Sequence, residues 1–141
     1  MKTYKLGMLA SVMALSAGMA TAGEIAVIVK TTSSNFWQNV NKGAEAAIAA
    51  QSEHSFSFDG PATESAVADQ VNLVENAINR GVSGIVLAPS DPEALAPVVK
   101  RAYESGIPVV IIDSALTDGA KGTYQAFLST DNCAAGEEVA K

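Results

Sequence analysis

The chain has 141 residues, of which 48% are hydrophobic and 17% charged, and its formal net charge is −6. The excess of acidic residues argues against nucleic acid or an anionic membrane surface as a partner. Cys133 is the only cysteine, so no intrachain disulfide can form, and the single histidine, His54, gives little support for a metal site or a His-activated nucleophile. We expect Cys133 to be a buried small side chain and His54 to be exposed at the start of a strand.

The first 22 residues have the pattern of an export signal. Lys2 and Lys5 form a positive n-region, residues 6–17 are apolar, and residues 20–22 give the small-x-small pattern that signal peptidase cleaves. A membrane anchor is the alternative, but the apolar stretch is shorter than the roughly 20 residues that a membrane span requires. We predict cleavage before Gly23 and a soluble protein in the bacterial periplasm. Loss of the two lysines moves the formal charge to about −8.

After this segment, predicted strands and helices alternate with a period of roughly 25–30 residues, which is typical of βαβ units around a parallel sheet. The first strand is apolar on both faces, whereas the second alternates polar and apolar residues and fits a sheet edge. Gly81 and Gly106 end two helices, and Asp91 with Pro92 begins one. Strands are predicted at residues 24–30, 54–58, 84–88, 109–112 and 124–129, and helices at residues 36–50, 65–80, 92–105 and from 132 onward.

These elements predict the α/β fold class, with a doubly wound parallel sheet in three αβα layers and a Rossmann-like winding. About 105 residues form this lobe, which is enough to hold a hydrophobic core of its own. The chain stops at Lys141 inside its last predicted helix and without a helix terminator, so we expect it to be a fragment.

The segment between the first strand and the first helix holds candidate binding residues, because open α/β sheets bind ligands outside the carboxyl ends of their strands. Phe36 and Trp37 stand there beside hydroxyl and amide groups, a combination that suits a small sugar or polyol. Neighbouring positions cannot both face inward on a helix. Trp37 continues an apolar stripe with Val40 and Ala44, so we expect Phe36 to face the ligand.

Asp113 and Ser114 follow the fourth predicted strand at the same edge. Because Asp113 comes directly after four apolar residues, its carboxylate should emerge at the lip of the core, where it can accept hydrogen bonds from two ligand hydroxyls. The alternative is an aspartate that caps a helix or braces the loop. Lys30 either reaches the ligand or is a solvated strand end, Ser34 either caps the helix or contacts the ligand, and Asp91 fits a helix cap.

Catalytic signatures are absent from the sequence: it has no G-x-G-x-x-G after the first strand, no G-x-x-x-x-G-K-[ST] and no G-x-S-x-G. No nucleophile can be paired with a base. A site built from aromatic rings and a carboxylate binds its ligand without turning it over, so we predict a binding protein that is not an enzyme and uses no cofactor or metal.

The motifs of the exported part, residues 24–141, together resemble the N-terminal part of type I periplasmic sugar-binding proteins, the ribose/galactose-binding group that shares its domain with LacI-type repressors. The motifs are Ser34-Asn35-Phe36-Trp37 before Lys42-Gly43-Ala44-Glu45-Ala46-Ala47, Gly84-Ile85-Val86-Leu87-Ala88-Pro89 with Asp91, Gly106-Ile107-Pro108-Val109-Val110-Ile111-Ile112-Asp113, and Ser129-Thr130-Asp131-Asn132 before Gly136.

The resemblance implies two doubly wound lobes joined by crossing strands, which close on a sugar that is handed to a membrane ABC permease. After the export signal at residues 1–22, the resemblance implies an N-terminal lobe at 23–130 and a hinge with the start of a truncated second lobe at 131–141. We expect a monomer without a nucleic-acid partner. The implied contacts of the first lobe are Ser34, Phe36, Trp37, Asp113 and Ser114, with Lys30, Ala88 and Thr130 at weaker positions and Trp37 stacking as well.

The sequence departs from this family at two positions. Ribose- and galactose-type binders carry an arginine after the aspartate of the fourth strand, where this chain has Ser114, and Asn35 stands where proline is common. The lost bidentate donor leaves the identity of the sugar open. Three other functions also stay open: the effector domain of a LacI-type transcriptional regulator, a sensor that presents its ligand to a chemoreceptor or histidine kinase, and an exported α/β enzyme whose catalytic pair lies outside this chain.

Overall fold

The computed structural model describes residues 23–51 and 53–141, so the export signal predicted at residues 1–22 lies outside the described part. Five parallel strands form one sheet in the order β2-β1-β3-β4-β5. This confirms the α/β fold class with a doubly wound, three-layer arrangement. The elements are β1 (Glu24–Ile28), α1 (Asn35–Ala49), β2 (Ser55–Asp59), α2 (Val67–Arg80), β3 (Gly84–Leu87), α3 (Ala96–Glu104), β4 (Val109–Ile112), a 3₁₀ turn (Asp118–Ala120), β5 (Ala126–Leu128) and α4 (Asn132–Val139).

The strand order places a topological switch point between β1 and β3. These strands are hydrogen-bonded neighbours, yet the chain leaves β1 through α1 on one face of the sheet and leaves β3 through α3 on the other. The connections therefore diverge at their carboxyl ends and open a crevice, which is where α/β sheets of this order bind ligands. β2 lies at the edge of the sheet, as its alternating sequence predicts.

Two apolar clusters pack against the sheet. The α2/α3-face cluster contains 16 buried residues from the strands, α2, α3 and the loop after β4. Among the described residues the α1-face cluster contains four, namely Val27, Val29, Trp37 and Ala88, with half-buried neighbours around them. All four residues of β4 are apolar, a composition that is typical of a strand buried on both faces. In the structure its second face is only half-buried, at Val110 and Ile112, because α1 covers the β1 and β2 side of this face.

Several element boundaries differ from the sequence predictions. Asp91 does accept backbone N–H bonds from Glu93 and Ala94, but it caps a separate turn, and α3 begins only at Ala96. The prediction that Cys133 is buried is wrong: α4 is exposed along its whole length and Cys133 with it. Within the described residues, no helix is both long and apolar enough to cross a membrane.

Candidate functional site

An open hollow of about 370 Å³ lies at the carboxyl edge of the sheet, between the first turns of α1 and the ends of β4 and β5. Two aromatic rings and a carboxylate share this hollow with apolar side chains, some of them from the α1-face cluster. We call it the edge hollow. Its lining residues are Phe36, Trp37, Val40, Ile112, Asp113, Leu128, Ser129 and Thr130.

The backbone at Asp113 has a conformation that side chains rarely adopt. Its φ is 64°, and it is the one non-glycine residue with positive φ in residues 23–51 and 53–141. The Asp113 N–H donates to the carbonyl of Leu128 at 3.0 Å, and the Ser114 N–H donates to that of Ile112 at 2.8 Å, which closes a three-residue turn around Asp113. Such a conformation costs on the order of 1–3 kcal/mol and is concentrated at functional sites. Here it carries the carboxylate past the strand end to the rim of the hollow.

The Asp113 carboxylate belongs to a closed cluster of three polar groups. Lys30 Nζ lies 2.7 Å from Asp113 Oδ2 and donates to Ser114 Oγ at 2.7 Å, while the Ser114 hydroxyl donates to Asp113 Oδ2 at 3.1 Å. The side chains of Lys30 and Asp113 are 16% and 37% exposed, so water screens this ion pair less than an ordinary surface pair. The cluster presents an ammonium donor beside a carboxylate acceptor, which is the pattern that a polyhydroxylated molecule can bridge.

The two aromatic residues at the start of α1 have different environments. Phe36 is 59% exposed, whereas Trp37 is 3% exposed and packs in the α1-face cluster. Their rings meet edge to face, with centroids 4.8 Å apart and planes at 84°. The indole N–H of Trp37 donates to Glu64 Oε1 at 3.2 Å, which holds the ring in place. Trp37 therefore supports Phe36 from below, and most of the Phe36 ring stays open to a ligand.

Ser34 caps the N-terminus of α1. Its hydroxyl accepts the backbone N–H of Trp37 at 3.3 Å, as an N-cap does, while Gln38 reaches back to the carbonyl of Thr32 at 2.7 Å. These bonds fix the entry of the chain into α1 and therefore the direction of the two rings. In this structure Ser34 positions the aromatic residues and is not part of the hollow.

The structure thus brings together most of the residues predicted to form the site. Phe36, Trp37 and Asp113 line the edge hollow, and Lys30 and Ser114 are bonded to Asp113. Thr130 also lines the hollow, whereas Ala88 is completely buried beneath it. The sequence reasoning missed the apolar wall, which includes Val40, Ile112 and Leu128. Val40 lies one turn after Trp37 and Ile112 directly precedes Asp113, which was the available signal for these two, whereas nothing in the sequence points to Leu128.

A second, larger hollow of about 490 Å³ lies between α3 and the loop after β4. Its wall includes Pro97, Lys100, Thr117 and Thr123, and none of the predicted site residues. The smaller edge hollow is the candidate site, because an aromatic face and a charged donor–acceptor pair converge there and no aromatic residue lines the larger one. Among the described residues, no group of three or more His, Cys, Asp and Glu side chains is arranged to hold a metal ion.

A sequence profile described as "Periplasmic binding protein domain" matches residues 25–141. The D-allose-binding periplasmic protein of Escherichia coli is 34% identical over 141 residues, which are 97% of this chain and 45% of that protein. The D-ribose/D-allose-binding protein of Pseudomonas aeruginosa is 38% identical over 94 residues, 64% of this chain and 28% of that protein. The chain therefore spans less than half the length of these relatives.

Solved structures of solute binding proteins are also similar to this chain. An ABC transporter solute binding protein from Agrobacterium vitis with bound D-fucose is 67% identical, with a TM-score of 0.81 over 84% of this chain and 41% of that one. A carbohydrate transporter solute binding protein from Agrobacterium radiobacter in complex with D-arabinose is 32% identical, with a TM-score of 0.76 over 84% of this chain and 39% of that one.

Proposed function

Because this chain belongs to the periplasmic binding protein domain family, we propose that it forms the first lobe of a periplasmic solute-binding protein that captures a small sugar or polyol for an ABC importer. Residues 23–130 are this lobe, residues 131–141 are the hinge and the start of a second lobe, and residues 1–22 are the cleaved export signal. The relatives support the second lobe, since each is more than twice as long as the part that this chain matches. Closure of two lobes on the ligand is a hinge motion.

The cluster of Lys30, Asp113 and Ser114 beside the open Phe36 ring carries this proposal. The carboxylate accepts hydrogen bonds from two neighbouring sugar hydroxyls, and the ammonium group donates to a hydroxyl or ring oxygen. Lys30 supplies the cationic donor at the rim, where Ser114 replaces the arginine of ribose- and galactose-type binders. The face of Phe36 packs against the C–H groups of the sugar ring.

The 67% identity to a structure with bound D-fucose favours a monosaccharide of that kind. D-Fucose differs from D-galactose only by a methyl group in place of the hydroxymethyl group, so it is less polar at one end. The wall of the edge hollow contains apolar side chains, Ile112 and Leu128 among them, that could pack against such a methyl group. We therefore propose a 6-deoxy sugar as the first ligand to test.

The remaining parts of the proposal follow from the family. The partner is a membrane ABC permease that receives the sugar, and the binding protein acts as a monomer in the periplasm without catalysis, cofactor or nucleic acid. Relatives named as periplasmic sugar-binding proteins support the compartment and the ligand class. The family is one of binding proteins and not of enzymes, and the sequence has no recognisable pairing of a nucleophile with a base.

The test is a thermal-shift and calorimetric screen of the full-length protein against D-fucose, D-galactose, D-ribose, D-allose, L-arabinose and a polyol. A ligand present at 100 times its Kd stabilises the native state by about 2.7 kcal/mol, which is readily seen as a higher Tm. We expect D-fucose to bind more tightly than D-galactose. No shift with any of these compounds would contradict the carbohydrate assignment.

One solved structure favours the alternative function, the effector domain of a LacI-type transcriptional regulator. A protein from Brachyspira murdochii described as "ABC transporter, LacI family transcriptional regulator" is 37% identical, with a TM-score of 0.76 over 84% of this chain and 37% of that one. Cell fractionation with N-terminal sequencing separates the two functions. A periplasmic protein that begins at Gly23 supports the binding protein, and a cytoplasmic protein that retains residues 1–22 supports the regulator.

A further inference from the structure

Gln70, in the first turn of α2, is the most completely buried polar side chain of the described residues, with no exposed surface. Its amide nitrogen donates to the carbonyls of Val29 at 3.0 Å and Ala88 at 2.9 Å, and its amide oxygen accepts the backbone N–H of Ser90 at 2.8 Å. Both amide protons and the oxygen are therefore used. Three backbone groups from the segments that follow β1 and β3 are thus bonded to one side chain of α2.

The position of these bonds explains why a polar side chain is buried there. The last bond of the β1–β3 ladder runs from the Ala88 N–H to the carbonyl of Ile28, and beyond it the two strands diverge at the switch point. The carbonyls of Val29 and Ala88 lie past this bond, and both residues are completely buried. A buried carbonyl without a partner costs about 1–3 kcal/mol. Gln70 enters between the strand ends and satisfies both carbonyls.

We propose that Gln70 is a positioning residue of the binding rim, acting through the backbone that carries Lys30. Val29 directly precedes Lys30, whose ammonium group holds Asp113 across the rim. By fixing the spacing between the ends of β1 and β3, Gln70 fixes the point from which Lys30 leaves the sheet. It contacts no ligand itself, and its effect on affinity rests on the proposed function of the edge hollow.

A purely structural role predicts a different pattern of effects. Val74 lies one turn later on the same face of α2 and is also completely buried, but its side chain is apolar and packs in the α2/α3-face cluster. Truncating Val74 leaves a cavity and lowers stability without changing the bonds at the strand ends. Val74→Ala is therefore the matched control for Gln70, since it perturbs the same helix without touching the rim.

The experiment compares Gln70→Met with Val74→Ala in the full-length protein. Methionine keeps the length of glutamine but leaves the two carbonyls and the Ser90 N–H without partners. We expect both variants to lower Tm, and only Gln70→Met to raise the Kd for D-fucose, by roughly tenfold or more. Amide hydrogen exchange should accelerate in residues 29–36 and 88–91 of Gln70→Met and not preferentially there in Val74→Ala.

A second variant, Gln70→Glu, adds a pH readout and serves if Gln70→Met does not fold. The protonated carboxyl can still donate to one carbonyl and accept from Ser90, whereas the ionised form places a negative charge against two carbonyl oxygens. Burial raises the pKa of such a carboxyl. Sugar binding by this variant should therefore strengthen as the pH falls, relative to the unchanged protein at each pH.

The outcomes separate the two proposals. The positioning role would be overturned if Gln70→Met lowers Tm but keeps a Kd within about twofold of that of the unchanged protein, as expected for Val74→Ala. If the unchanged protein binds no sugar at all, the proposed function fails, and the exchange comparison alone decides on Gln70. Faster exchange confined to the strand ends would then support its role in holding the rim, and uniform acceleration would remove that role.

Discussion

The two faces of the sheet differ in how completely their apolar side chains are covered. In the part of the chain that the structure describes, two helices and a loop pack on one face and enclose 16 buried residues, whereas α1 packs on the other face and encloses four. The edge hollow draws part of its wall, including Trp37, Val40 and Ile112, from the second, thinner cluster. Most of the buried apolar side chains that stabilise the fold therefore lie on one face, and the surface that is open to a ligand lies on the other.

This division has a physical reason. A ligand needs apolar area and polar groups that remain accessible to it, and a fully packed face offers neither. The exposed Phe36 ring and the half-buried Ile112 keep such area open, and the turn at Asp113 lifts a carboxylate beyond the strand. Gln70 links the faces, since it comes from the α2 side and ties down the strand ends on which the site is built.

The largest expected effect is on the covered face. Leu87 in β3 has no exposed surface and lies in the α2/α3-face cluster. Leu87→Ala removes buried methyl groups and leaves a cavity, so it should lower the free energy of unfolding by about 2–5 kcal/mol. Chemical denaturation measures this loss. Sugar affinity, measured well below Tm, should change little, and a large loss of affinity in the folded variant would break the separation of the two faces.

The next effect concerns the hollow and should appear in affinity. Asp113→Asn keeps the shape of the side chain and tolerates the left-handed backbone, but it removes the charge that pairs with Lys30. Because hydrogen bonds to charged groups are worth about 1.5–3 kcal/mol, calorimetry should show a Kd that is roughly 10- to 100-fold higher. The matched control is Asp118→Asn, at an exposed aspartate in the 3₁₀ turn, which should bind as tightly as the unchanged protein.

Replacing the open aromatic ring should weaken binding without weakening the fold. Phe36→Ala removes a side chain that is 59% exposed, so the unfolding free energy should stay within about 0.5 kcal/mol. Affinity for the sugar should fall by about tenfold, because a stacking surface is lost. Tyr103→Ala removes a similarly exposed ring from α3 and should change neither quantity. Equal affinities in the two variants would place Phe36 outside the site.

The smallest effect is a pH dependence at the amino edge of the sheet. Hydrogen bonds from Arg80 and then Ser57 hold the pKa of Glu24 below its ordinary value of 4.5. A carboxyl with a lowered folded-state pKa stabilises the protein above its unfolded pKa, and this contribution is lost as the pH falls through the folded pKa. The stability difference between the unchanged protein and Glu24→Gln should be below about 1 kcal/mol and shrink below about pH 4.5. Arg80→Met should weaken this dependence, because it removes the larger of the two hydrogen-bond contributions and leaves the bond from Ser57.

Much of the fold could be predicted because the local signals and the tertiary structure agree. Gly81 does adopt a left-handed conformation at the end of α2, and the alternating second strand does lie at the sheet edge. The start of α3 could not be predicted, because an aspartate before proline caps an isolated turn as well as a helix. Cys133 followed a helical pattern, but helical periodicity does not reveal whether another element packs against that helix.

The residues of the candidate site could be predicted from their places after the strand ends, but the hydrogen bonds and the ion pair between them could not. No sequence pattern shows that Lys30 and Ser114, 84 residues apart, meet at Asp113. Gln70 was missed entirely, because a glutamine in the first turn of a helix is usually exposed. Its burial depends on the divergence of β1 and β3, which exists only once the sheet has formed.

The most direct test of the central claim is a crystal structure of the full-length protein with D-fucose bound. The account predicts the sugar in the edge hollow, with Asp113 and Lys30 within hydrogen-bond distance of its hydroxyl groups and the ring of Phe36 against one of its faces. A sugar bound elsewhere, with the ion pair of Lys30 and Asp113 intact and out of reach of the ligand, would contradict it.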